Sequence, residues 1–122
     1  LAARLEKEQP GNLEVQIQRA FQLVYQRTVT SAEQQVCIEH VNKMTSQHEA
    51  HPPIKTEMPT RVIRRMVEEM TGLAFWWVED LDLYRSDQYV PDLKPWDVTP
   101  RTRALADLCL VLLNSNEFSY VY

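Results

Sequence analysis

Residues 99–122 read TPRTRALADLCLVLLNSNEFSYVY. Threonine followed by proline is a helix start: the hydroxyl caps a free backbone N–H, and proline at the first helical position forfeits no hydrogen bond. The run predicts a helix from Thr99-Pro100 to about Leu113. Leu105, Leu108 and Leu112 fall on one stripe, and Cys109, Leu110 and Val111 widen it almost all the way round. A helix apolar on every side belongs at the centre of a bundle. Beyond it, Asn114 and Glu117 have the spacing of a capping pair and predict a corner with a short restart. Phe118, Tyr120 and Tyr122 are then expected to fold back onto the bundle, because terminal aromatic rings bury large areas.

A central helix needs partners, and the first half of the chain supplies them. Leu1 to Gln9 are strong helix formers. They read as the end of a helix that begins upstream, in a piece cut from a longer protein. Pro10-Gly11-Asn12 breaks that helix, and Asn12 caps the next. Leu13, Ile17, Ala20, Phe21 and Val24 share one face of a helix running to about Gln26. Thr30 followed by Glu33 is a capping box. The helix after it carries a core face of Cys37, His40 or Val41, Met44 and His48. The short joint between these two helices predicts an αα-hairpin.

Glu49 to Pro59 hold three prolines and read as a loop. Thr60 is placed to cap a helix over Arg61–Thr71, with Val62, Ile63, Met66, Val67 and Met70 on one side. Arg64 with Glu68, and Arg65 with Glu69, are i,i+4 pairs on the other side. Gly72 stands where a helix stop belongs. Within Leu73 to Val98, LAFWWVEDLDLY fits either a continued helix or an extended run. Phe75-Trp76-Trp77-Val78 leans toward strand, with a short hairpin toward Tyr89-Val90 as one arrangement, and the rest, with Pro91 and Pro95, reads as loop. The fold expected is therefore mainly α: one domain over residues 1–122, a bundle of four to five helices. One long aromatic and acidic loop, or a small hairpin, precedes the last helix.

Composition agrees and excludes several functions. The 122 residues hold two glycines and seven prolines, 44% apolar and 25% charged residues. A chain of this length buries roughly 65% of its unfolded surface, enough for a core without staples. The net charge of −4 and pI near 5.3 argue against a nucleic-acid partner, which needs a basic face. No stretch reaches the ~20 apolar residues of a membrane span. Cys37 and Cys109 form no CxxC motif. They read as two buried thiols or as one disulfide between helices.

Three groups of residues carry candidate chemistry. His40, Met44 and His48 share a helical face, with His51 beyond, and imidazole and thioether are metal ligands. Without HExxH or a carboxylate on that face, the reading is a core methionine flanked by histidines, with no metal site. Glu79, Asp80, Asp82, Asp87, Asp92 and Asp97 form an acidic stretch. Asp80-x-Asp82 begins like a calcium loop, but Tyr84 stands where a third acid is required and no glycine follows. Trp76, Trp77 and Trp96, with Phe75, Tyr84 and Tyr89, put six aromatic residues between positions 75 and 96. Such rings stack on sugars, anchor a protein partner or pin a long loop to the bundle. There is no phosphate loop, no GxSxG and no nucleophile–base pair, so no catalytic residue and no cofactor is expected.

The segments YVPDLKPWDV and TRALADLCLVLLNSNEF, with LAARLEKE and QIQRAFQLVYQRTVTSAEQ upstream, resemble the C-terminal part of a planctomycete-specific domain of unknown function. In that family the domain closes long exported proteins that often carry an upstream cytochrome-c-like domain. The resemblance extends over the chain, and ADLCLVLLNSNEF is its most specific piece. It implies a periplasmic or cell-surface location. It carries no catalytic residue over, and with no CxxCH in this chain any haem belongs elsewhere. The expected function is a non-catalytic helical packing or interaction module, its partner the rest of its own chain or another protein. The alternative is part of an enzyme or carbohydrate-binding protein acting on extracellular polymers through Trp76, Trp77 and Trp96.

Overall fold

A computed structural model describes residues 1–57, 59–81 and 90–120. These fall into two compact units, a helical one of Leu1–Ile54 with Leu93–Tyr122, and a second of Lys55–Asp92. The described chain is mainly α: five helices and one two-stranded antiparallel sheet.

The helical unit follows the capping signals. Helix α1 (Ala2–Glu8) ends before Gly11, whose φ of +77° turns the chain. Helix α2 (Leu13–Val24) starts where the Asn12 side chain accepts a hydrogen bond from the Val15 N–H. Helix α3 (Ser31–Ala50) carries the full Thr30–Glu33 capping box. Helix α4 (Pro100–Leu113) is capped by Thr99, which accepts from the Thr102 N–H. Helix α4 is the axis of the unit, packing on α1, α2, α3 and α5 (Asn116–Ser119). Its Ala104, Leu105, Leu108, Cys109 and Leu112 form the core with Leu5 of α1, Ile17, Ala20 and Phe21 of α2, and Cys37 and Val41 of α3. Cys37 and Cys109 are free and buried. Burial raises both thiols above their ordinary value, Cys109 to about 11.

Helix α4 is central without being covered all round. Leu110 and Val111 are exposed, because the neighbours occupy only the Leu105–Leu108–Leu112 side. The closing corner is present, but Ser115, rather than Asn114, caps α5 by accepting from the Phe118 N–H. The aromatic ending does not fold back as expected. Phe118 is 45% and Tyr120 61% exposed, and α5 buries no residue; Tyr122 lies outside the described residues.

What ties the ending down is polar. The Tyr25 hydroxyl donates to the Leu112 carbonyl or to Ser115 Oγ, 3.1 and 2.7 Å away. Arg27, just after α2, spreads its guanidinium over two carboxylates. Its Nε and one terminal nitrogen reach Glu117 of α5 at 2.5 and 2.9 Å. Its terminal nitrogens also reach both oxygens of Glu33 at 3.0 and 2.6 Å. The same guanidinium lies over the rings of Phe21 and Tyr25, 5.2 and 5.4 Å from their centres. One side chain thus joins α2, the α3 cap and α5.

The second unit corrects the sequence reading. Residues Arg61–Val67 form strand β1, not a helix, paired antiparallel with β2 (Ala74–Asp80). The aromatic run is a strand as expected, but its partner is β1. Tyr89 lies outside the described residues and Val90 is in no strand. The helical reading placed Arg64 and Glu68 one turn apart on an outer helix face. Instead Glu68 closes the turn: its carboxylate accepts from the N–H groups of Met70 and Thr71 and from the Thr71 hydroxyl. Those bonds, the Thr71 hydroxyl foremost, lower its pKa. Gly72, at φ +71°, completes the turn in the left-handed region that glycine enters freely. The β-branched Val62, Ile63 and Val67 favour strand once a partner is present.

Candidate functional site

The hairpin carries two of the three tryptophans singled out by the sequence, and its register decides what they can do. Successive side chains of a strand point to opposite faces, so Trp76 and Trp77 cannot form one stacking platform. Residues opposite one another in the register share a face. One face therefore holds Val62, Arg64, Met66, Phe75, Trp77 and Glu79. The other holds Arg61, Ile63, Arg65, Val67, Ala74, Trp76, Val78 and Asp80. On the first, Phe75 stacks on Trp77 with ring centres 5.7 Å apart. On the second, Trp76 stands between Ala74 and Val78.

Both faces are open. Trp76 is 67% and Trp77 39% exposed, and Ile63, Met66, Val67, Phe75 and Val78 are exposed as well. The charged residues frame these rings. Arg64 Nε donates to Glu79 at 2.6 Å on one face, and Arg61 Nε to Asp80 at 2.5 Å on the other. Arg65, directly opposite Trp76, has no carboxylate partner among the described residues. The acids Glu79 and Asp80 are thus spent on cross-strand pairs. Asp82, Asp87, Tyr84 and Tyr89 lie outside the described residues.

Trp96 belongs to the helical unit and is half-buried. It occupies a turn, Lys94-Pro95-Trp96-Asp97, in which the Asp97 N–H donates to the Lys94 carbonyl and the Lys94 N–H to the Asp97 carboxylate. Proline at the second position presets that turn.

The histidines do not converge. His40 is partly buried, with no hydrogen-bond partner for its Nε2 among the described residues. His51 Nδ1 lies 3.1 Å from the Gln47 carbonyl of its own helix. His48 Nε2 lies 2.7 Å from Asp107 Oδ2. No group of three or more potential ligands gathers among the described residues. His48 does line a groove of about 500 Å³ in the helical unit, with Lys94, Pro95, Val98, Arg103 and Asp107. Two of its polar groups are directed at one residue. Arg103 donates to the His48 carbonyl at 2.8 Å while Asp107, one turn on, holds the His48 ring. Together they clamp the last turn of α3 to α4, a use of arginine familiar at helix C-termini. None of these groups is a nucleophile placed beside a base.

Sequence reasoning missed the basic strand β1. A signal was present: β-branched residues on the near side of Thr71-Gly72 and an aromatic run on the far side. Arginines at 61 and 64 answer acids at 80 and 79 about the same turn. Comparison with protein families, curated proteins and solved structures finds no match.

Proposed function

We propose that the chain is a non-catalytic interaction module whose hairpin docks onto protein surface, either the remainder of its own chain or a neighbour. One observation carries the reading: an antiparallel hairpin with large apolar side chains exposed on both faces. A lone two-stranded hairpin is marginal in water, and three or more strands or a packed face are needed for stability. Rings in such numbers are anchors of protein interfaces. The resemblance to the closing domain of long exported proteins supports a periplasmic or cell-surface setting, where the other parts of such a protein would offer that surface.

The carbohydrate alternative is less well supported. Sugar stacking across two rings needs them on one side, and Trp76 and Trp77 are on opposite sides. The test is quencher access to Trp76, read as the difference between the chain and its Trp76→Phe variant. In dilute chain the ring should be freely quenched and should become shielded on docking to protein. A ring shielded in the dilute chain contradicts the proposal. A saturable emission change with soluble polysaccharide, lost in Trp77→Ala, would transfer the reading to carbohydrate.

A further inference from the structure

The two edges of the hairpin differ in kind. Strand β1 carries three arginines and no acid, whereas β2 is an apolar and aromatic run with its acids confined to the last two positions. Charged residues along an edge guard it against pairing with another strand. By that measure β1 is guarded and the middle of β2 is not.

The hydrogen-bond pattern says which residues meet that edge. The Glu68 N–H donates to the Leu73 carbonyl and the Leu81 N–H to the Thr60 carbonyl. Bonded and non-bonded pairs alternate along an antiparallel ladder. Phe75, Trp77 and Glu79 therefore exchange bonds with β1, and Ala74, Trp76, Val78 and Asp80 turn their N–H and C=O groups outward. Among the described residues nothing pairs with them.

Resting on the interaction reading above, we propose that the partner of this edge is β2 of a second copy of the chain, paired antiparallel about Trp77. The arrangement is self-complementary. Trp76 faces Val78 of the other copy, and the two Trp77 residues meet on the two-fold axis. Glu79 and Asp80 fall at opposite ends, against Phe75 and Ala74, so no acid meets an acid. Each remains neutralised from behind by Arg64 and Arg61. Pairing β1 with β1 instead would bring arginine against arginine. The product is a four-stranded sheet, past the size at which sheets become stable. Its outer edges are both the arginine-bearing β1, which stops growth at two copies and closes the symmetry. Seven-residue strands bury little area beyond the ladder itself, so the dimer is weak and concentration-dependent.

The test is sedimentation of the full chain over a dilution series, with two proline variants. Proline is tolerated in an edge strand where its missing N–H faces outward. Val78→Pro blocks the outer edge of β2, and Ile63→Pro blocks that of β1. The cross-strand proximity of Met66 and Phe75, read by NMR, reports that the hairpin persists in each. The chain and Ile63→Pro should rise from 14.3 kDa toward a doubled mass, and Val78→Pro should stay single. A chain that stays single at every concentration overturns the proposal, as does a dimer lost in Ile63→Pro but kept in Val78→Pro. A single chain whose Trp76 is still freely quenched leaves the interaction reading standing; one whose Trp76 is shielded removes both.

Discussion

Replacing Arg27 by methionine keeps an apolar stem over Phe21 and Tyr25 but removes the charge between Glu33 and Glu117. The structure sets the size of the effect. Arg27, together with the Thr30 bonds, holds the Glu33 carboxyl at about 2 rather than 4.5. For a fully shielded pair that difference would be worth about 3 kcal/mol. Both side chains are about one-third exposed, so solvent screening reduces it to about 1 kcal/mol. Loss of the guanidinium from the two ring faces adds about 0.5–1 kcal/mol. Urea denaturation at pH 7 should therefore show Arg27→Met less stable by about 1.5–2 kcal/mol, and less so in molar salt, which screens exposed pairs. The sign of the pH dependence follows from a folded-state pKa depressed below its unfolded value. The contribution is whole above pH 4.5 and is lost as pH falls toward 2. The gap between the two proteins should narrow over that window. A gap below about 0.5 kcal/mol, or one unchanged between pH 5 and 2, would refute the assignment of Arg27 as the tie between α2, α3 and α5.

Leu108, buried in the core by α4, should cost about 2–5 kcal/mol on replacement by alanine; denaturation showing under half a kcal/mol would remove α4 from the centre. Among the described residues, deleting 117–122 takes away the Glu117 partner and the exposed Phe118 and Tyr120 rather than core, so the melting midpoint should fall by only a few degrees with the transition still cooperative. Outright unfolding on that deletion would mean that the ending is packed after all. Thiol labelling of the native chain at pH 8 should be slow at both cysteines and become fast in denaturant, because Cys109 is held up at about 11 by burial. Fast native labelling would contradict the packing of α3 against α4.

Three helix starts were legible in the sequence because each is a local event, whereas Thr60 precedes a strand and Ser115, not Asn114, caps α5. Asn12, Thr30 and Thr99 each act on a backbone N–H three residues away, and all three caps are in place. The stripe of α4 was legible for the same reason, while its open side was not: how many neighbours surround a helix is a tertiary fact. The hairpin was read in half. Phe75 to Val78 declare a strand by their side chains. Arg61–Val67 has the composition of either element, and only the strand across the turn decides between them. Glu68 was misassigned because the same carboxylate can serve Arg64 one helical turn away or the backbone of a tight turn, and i,i+4 spacing does not distinguish the two. Of the candidate contact residues, Trp76 and Trp77 lie on an exposed element. Their placement on opposite faces follows only from knowing that the segment is a strand. The role of Arg27 had no sequence signal, since Glu117 lies 90 positions away.

Amide hydrogen exchange on the chain at high dilution tests the central claim most directly, since local stability is not uniform across a fold. If the hairpin is a docking element awaiting a surface, the β1 and β2 amides should exchange far faster than those of α3 and α4. They should gain protection only when the chain is concentrated or joined to its partner. Hairpin amides as protected at high dilution as the Val41 and Leu108 amides would contradict the account. The hairpin would then be complete in itself, and its exposed rings would need another explanation.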